Sequence, residues 1–193
     1  MRTKIPAFTL FPLVTFTNLL LLSSILDSHP AIAQEELCRD IGEVAPSETL
    51  RTLEIPRFGI NIDIPENYRT LALNNGSVQI LDPGSFELVS CLARGGETPF
   101  ARGMSSFTIH LDNNPRNLSL LRLAQQDGLY DGNSYRYNLS GTEVVIAESG
   151  GGYSVGAWFT PPRIDGVVVM EVSCDCEVDR NDIVFELDRI RLR

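Results

Sequence analysis

Ser154, His110 and Asp112 are the side chains here that fit covalent catalysis: a hydroxyl nucleophile, an imidazole base and a carboxylate to orient it. Ser154 stands in Gly152-Tyr153-Ser154-Val155-Gly156, and His110 is the one histidine after His29. On an extended strand His110 and Asp112 share a face. Their order along the chain (His, Asp, Ser) is compatible with a serine hydrolase. Two metal chemistries also have residues. Asp175, Glu177, Asp179 and Asp182 are hard oxygen donors of the kind calcium takes. Cys174 and Cys176, completed by Cys91 or His110, offer the softer donors that copper or zinc prefers.

Each candidate has a simpler use. The glycine-flanked serine resembles the nucleophile elbow of α/β-hydrolases over five residues. That resemblance implies a strand before the serine, a helix after it and a histidine later in the chain. Here Ala157-Trp158-Phe159 extends a strand towards Pro161-Pro162, and no histidine follows Ser154. The Gly-Asp-Ser-Gly surroundings of chymotrypsin-like enzymes are also missing, so the segment reads as a glycine-flanked strand start. Alternation holds Asp175, Glu177 and Asp179 on one extended face, with no glycine to curl a loop around an ion. Asp127-Gly128 and Asp131-Gly132-Asn133 read as turns. No catalytic residue, metal or cofactor is therefore expected, and the hydrolase and metal readings stand as alternatives.

The four cysteines, Cys38, Cys91, Cys174 and Cys176, are even in number and all lie beyond an apparent export signal. Disulfides are their expected use, and the preferred pairing sends Cys38 and Cys91 separately to Cys174 and Cys176. The signal is read from Arg2 and Lys4, an apolar run over 5–26, and Ala31-Ile32-Ala33 before Gln34. The run is long enough for an anchor, but Pro6, Pro12 and polar residues at 15–18 interrupt it. Residues 1–33 are accordingly expected to be cleaved, 34–56 to form an N-terminal arm and 57–193 a single globular domain, with no stable membrane span after cleavage. The location implied is extracytoplasmic, secreted or periplasmic.

Charge narrows the partners. The 193 residues carry a formal net charge of −9, and removing 1–33 leaves 14 cations against 24 acids. No nucleic-acid partner is expected, because binding one rests on clustered cations. After Lys4 every cation is an arginine. The aromatic residues Tyr130, Tyr135, Tyr137, Tyr153, Trp158 and Phe159 gather in one stretch, and those left exposed would form a binding platform.

The elements that must position these groups show mainly a period of two. Strands are expected over 58–64, 68–73, 78–81, 107–111, 134–139, 143–147, 153–159, 166–178 and 182–192. Asn74-Asn75-Gly76 suits a hairpin turn. Helices are expected over 86–94, capped by Ser85, and over 114–128, opened by Asn114-Pro115 and closed by Gly128. The fold class is mainly β, with α+β as the alternative: an antiparallel sheet or β-sandwich carrying one or two short helices. The functional expectation is a non-catalytic binding or interaction module that meets an envelope component or a protein partner.

Overall fold

Alternating apolar and polar side chains become antiparallel strands in the computed structural model, which describes residues 37–99, 103–126 and 128–193. The expected leader, 1–33, lies outside the described residues, as does Asp127. Three strands, β1 (Leu50–Ile55), β2 (Ile60–Pro65) and β10 (Ile190–Leu192), form a small sheet in the order β1-β2-β10. Seven more form a larger sheet: β3 (Arg69–Ala72), β4 (Val78–Leu81), β5 (Ser106–Asp112), β6 (Ser134–Leu139), β7 (Thr142–Glu148), β8 (Ser154–Phe159) and β9 (Val167–Ser173). Their order is β3-β4-β5-β9-β8-β7-β6. The fold is thus mostly β and antiparallel, with three short helices among the described residues: α1 (Pro83–Ala93), α2 (Leu120–Gln126) and α3 (Arg180–Leu187).

Period two buries Ile60, Ile62 and Ile64 of β2 and leaves Asn61 and Asp63 only partly covered. Those isoleucines join Phe107, Ile109, Val168, Met170, Ala157 and Ile146 of the larger sheet in one apolar cluster, which Ile183 and Leu187 of α3 complete. Arg191 of β10 forks onto the Asp63 carboxylate and also reaches Thr52, tying the small sheet together. Val145, Trp158, Val167 and Val169 alternate with the residues of that cluster and face the other side. There Leu123 and Ala124 of α2 and the ring of Tyr130 cover them. The central strands β7, β8 and β9 are therefore apolar on both faces, and their sequences read as nearly continuous apolar runs.

Several elements differ from the sequence expectation, each for a local reason. The first helix begins at Pro83 and not at Phe86, because Asp82 is its cap and accepts the N–H groups of Gly84 and Ser85. Asn114-Pro115 opens a turn and no helix. The Asn114 carboxamide accepts the Leu118 N–H and donates to the Leu118 carbonyl, and Asn117 adopts φ +48°, which breaks a helix. Ser119 then caps the shorter α2. The expected strand over 166–178 stops at Ser173, and that over 182–192 is mostly α3. A reciprocal capping box sets the start of α3: Asp179 accepts the Asn181 N–H, and the Asp182 carboxylate accepts the Asp179 N–H. The stretch expected as an arm, 34–56, contributes β1 along the full length of β2, and Ile55 enters the core.

Candidate functional site

Ser154 and His110 are not brought together. Ser154 pairs with Ser173 of β9, while His110 pairs with Val169 of the same strand from its other side. Four residues along β9 and two strand spacings separate them, about 16 Å at about 3.3 Å per residue and 4.8 Å per strand. That is far beyond the reach of proton transfer. His110 and Asp112 do share a face, as alternation requires, but without the serine they make no triad.

The glycines around Ser154 have structural uses. Gly152 turns the chain at φ +70° into β8. A Cβ on Gly156 would lie 2.4 and 2.7 Å from two Trp158 ring atoms and 3.2 Å from Tyr130. The Trp158 ring, 1% exposed, thus fills the place a side chain at 156 would take, and it meets Tyr130 edge-on at 4.7 Å between centroids. The pattern that resembles a nucleophile elbow is a strand entry and a packing notch. Among the clustered aromatics Tyr130, Trp158 and Phe159 are buried, Tyr135 and Tyr137 are partly covered, and Tyr153 is exposed.

The acidic run is likewise dispersed. Asp179 and Asp182 spend their carboxylates on the α3 capping box, and among the described residues no group of three or more His, Cys, Asp or Glu side chains converges as a metal site. The sulfurs form two bridges, Cys38–Cys91 and Cys174–Cys176. This corrects the crossed pairing expected from sequence. The reason is local: Cys174 keeps the alternation of β9 and packs against the main core, but the chain then bends and leaves Cys176 exposed. Cys38 and Cys91 meet in a separate apolar cluster with Leu88 of α1.

The concavity with the richest chemistry is one that sequence reasoning missed. A cleft of about 490 Å³ opens where the β4, β5 and β9 face meets α3 and the strap formed by 43–46. Ile80, Phe107, Val172, Val44, Pro46 and Phe185 give it apolar walls. Glu43, Asp82, Asp182 and Glu186 supply carboxylates, and no Arg or His side chain lines it. Its size falls within the usual range for small-molecule sites.

Asp82 builds the cleft. Besides capping α1, its Oδ1 accepts the Val44 N–H at 2.8 Å and so pins the strap. A Cβ on Gly84 would strike the Gly42 carbonyl oxygen at 1.8 Å, so a glycine is needed for the strap to lie this close to α1. Burial works against the Asp82 carboxylate, but hydrogen bonds from Ser85, Val44 and Gly84 outweigh it and hold its pKa below the ordinary value. Glu43 adds a second tie by accepting the Ser105 N–H.

Carboxylates outnumber cations around the cleft, although Arg189 at its rim pairs with Glu186 at 3.7 Å. Burial, then the charges of Asp82, Glu186 and Glu43, push the Tyr68 hydroxyl above its usual pKa. Arg189 acts in the opposite direction. Burial also raises the Glu186 carboxyl, with Arg189 pulling the other way. Arg189 lies over the Phe185 ring, its guanidinium carbon 3.9 Å from the centroid, and holds this half-exposed ring at the rim. Nothing in the linear sequence marked the site, since its carboxylates come from the strap, the β4–α1 junction and α3.

Comparison with known proteins adds a resemblance of fold. No family model matches the chain, and no curated protein does. The solution structure of cyanobacterial PsbP (CyanoP) from Synechocystis sp. PCC 6803 superimposes with a TM-score of 0.44 at 13% identity, over 81% of this chain and 97% of that one. Function is therefore argued from the residues themselves.

Proposed function

We propose that this protein is an extracytoplasmic, non-catalytic binding module, and that it takes an apolar group carrying a positive charge into the cleft between the 43–46 strap and α3. The cleft carries this reading: apolar walls stabilise a hydrophobic stem, and partly desolvated carboxylates favour a cation over a neutral or anionic head. The natural occupant is then an arginine- or lysine-bearing segment of an envelope partner. The mature charge of about −10 favours such an encounter by steering a basic partner towards the surface.

Two further features support the location. The leader pattern of 1–33 is that of an exported chain. All four sulfurs are bonded, the state cysteines keep in oxidising compartments. Among the described residues no helix is long and apolar enough to cross a membrane.

Calorimetric titration with phenethylammonium, and with the neutral 2-phenylethanol as its control, tests the proposal. The cation is expected to bind at least tenfold more tightly, and Glu186→Gln should remove most of that preference. Equal affinity for the two probes, or a preference that survives Glu186→Gln, would rule out the carboxylates as the selecting groups. Covalent labelling of Ser154 by a fluorophosphonate would instead restore the hydrolase reading.

A further inference from the structure

The two disulfides differ in kind. Cys38 and Cys91 are 4% and 6% exposed, lie 53 residues apart and lock the chain before β1 to α1. Cys174 and Cys176 lie two residues apart, just past the end of β9; the Cys174 N–H still donates to the Tyr153 carbonyl, while Cys176 is in solvent. Closing so short a loop restricts the unfolded chain little and staples no two elements together. Exposed bridges of this kind are the ones that exchange with thiols.

Three observations suit the short bridge to exchange. A shallow hollow of about 460 Å³, with Met104, Tyr153, Glu171 and Ser173 around it, leaves room for a group beside Cys174. The Ser105 hydroxyl donates a hydrogen bond to the Cys174 sulfur at 3.5 Å, which stabilises negative charge there and not on Cys176. Ser105 also lines the carboxylate cleft and donates its N–H to Glu43. An occupant of the cleft therefore sits one residue from the bridge.

We propose that Cys174–Cys176 is an exchangeable redox pair that accepts two electrons from a neutral or cationic dithiol. A thiolate of the dithiol attacks the exposed Cys176 sulfur. The Cys174–Cys176 bond breaks as the mixed disulfide forms, and Cys174 leaves as a thiolate held by Ser105 until it takes a proton from water. The second thiol of the dithiol loses its proton to solvent and attacks its own bonded sulfur, expelling Cys176. The dithiol ends as a disulfide, and Cys174 and Cys176 end as thiols. Asp175 and Glu177, both exposed, repel anionic thiols, which sets the preference for uncharged or positive donors. The exchange is stoichiometric and goes beyond the binding role without replacing it.

The test uses the folded, oxidised full chain. It is titrated with dithiothreitol at pH 7.5, quenched with an alkylating reagent and mapped by peptide mass. Cys174 and Cys176 should alkylate at dithiothreitol concentrations at least tenfold below those that open Cys38–Cys91, with circular dichroism unchanged. Glutathione should be the poorer donor at equal thiol concentration. In the Cys174→Ser variant the freed Cys176 thiol should displace one half of added cystamine and keep the other as a mixed disulfide, and Ser105→Ala should slow opening of the parent bridge several-fold. Simultaneous opening of both bridges would overturn the proposal, as would opening of the short bridge only on unfolding.

Discussion

Replacing Gly156 by alanine tests the structural origin of the glycine–serine segment. The new methyl would lie within 2.7 Å of two Trp158 ring atoms, and that ring is wedged by Tyr130, Val145, Val169 and the α2 side chains. Neither ring can retreat without shifting α2, and overpacking of this kind costs about 1–3 kcal/mol. Gly156 is not among the glycines with positive φ, so alanine fits the backbone and recovers about 0.4–1 kcal/mol through a less flexible unfolded chain. The net loss expected is about 1–2 kcal/mol, which for a domain of this size lowers Tm by about 3–6 °C. Melts followed by circular dichroism read it directly. Trp158→Phe empties the space the methyl needs, so Gly156→Ala should cost less in that background, by about 0.5 kcal/mol or more. An alanine variant as stable as the parent, or additive costs in the double variant, would refute the packing notch.

Two other outcomes follow from the same geometry. By the chain-entropy relation, removing the Cys38–Cys91 bridge as the double alanine variant should cost about 4 kcal/mol, and removing Cys174–Cys176 about 1.5 kcal/mol, a contrast that urea midpoints resolve. The depressed pKa of Asp82 means that its contribution is complete above the unfolded value of about 3.9 and is lost as pH falls through the folded value. The parent should therefore lose stability on acidification below about pH 4 in a step that Asp82→Ala lacks, and the variant should be less stable at neutral pH by about 1–2 kcal/mol for the missing cap.

The strands were legible because burial on one or both faces writes itself into the sequence every second residue, as in Phe58-Gly59-Ile60-Asn61-Ile62-Asp63-Ile64. Even there Phe58 belongs to a tight turn before β2 and not to the strand. What failed were contests between local side-chain hydrogen bonds and periodicity. Asn114 closes its own turn and delays α2, while Asp179 and Asp182 cap a helix where alternation suggested a strand. Two of the four acids that looked like calcium ligands, Asp179 and Asp182, cap a helix, and the elbow glycine was room for an indole ring. The cleft was invisible for a different reason: Val44, Asp82, Phe107 and Glu186 meet only through the tertiary fold. The cysteine pairing failed because alternation, which holds as far as Cys174, was carried on to the exposed Cys176.

The central claim is that the cleft under the 43–46 strap is where a cationic apolar group binds. Methyl-resolved nuclear magnetic resonance during addition of phenethylammonium tests it most directly. Val44, Ile80 and Val172 methyls should shift in a saturable manner, while Val145 and Val169, under α2 on the opposite sheet face, stay fixed. Shifts that scatter over the surface, or that collect beneath α2 while Val44, Ile80 and Val172 remain still, would contradict it.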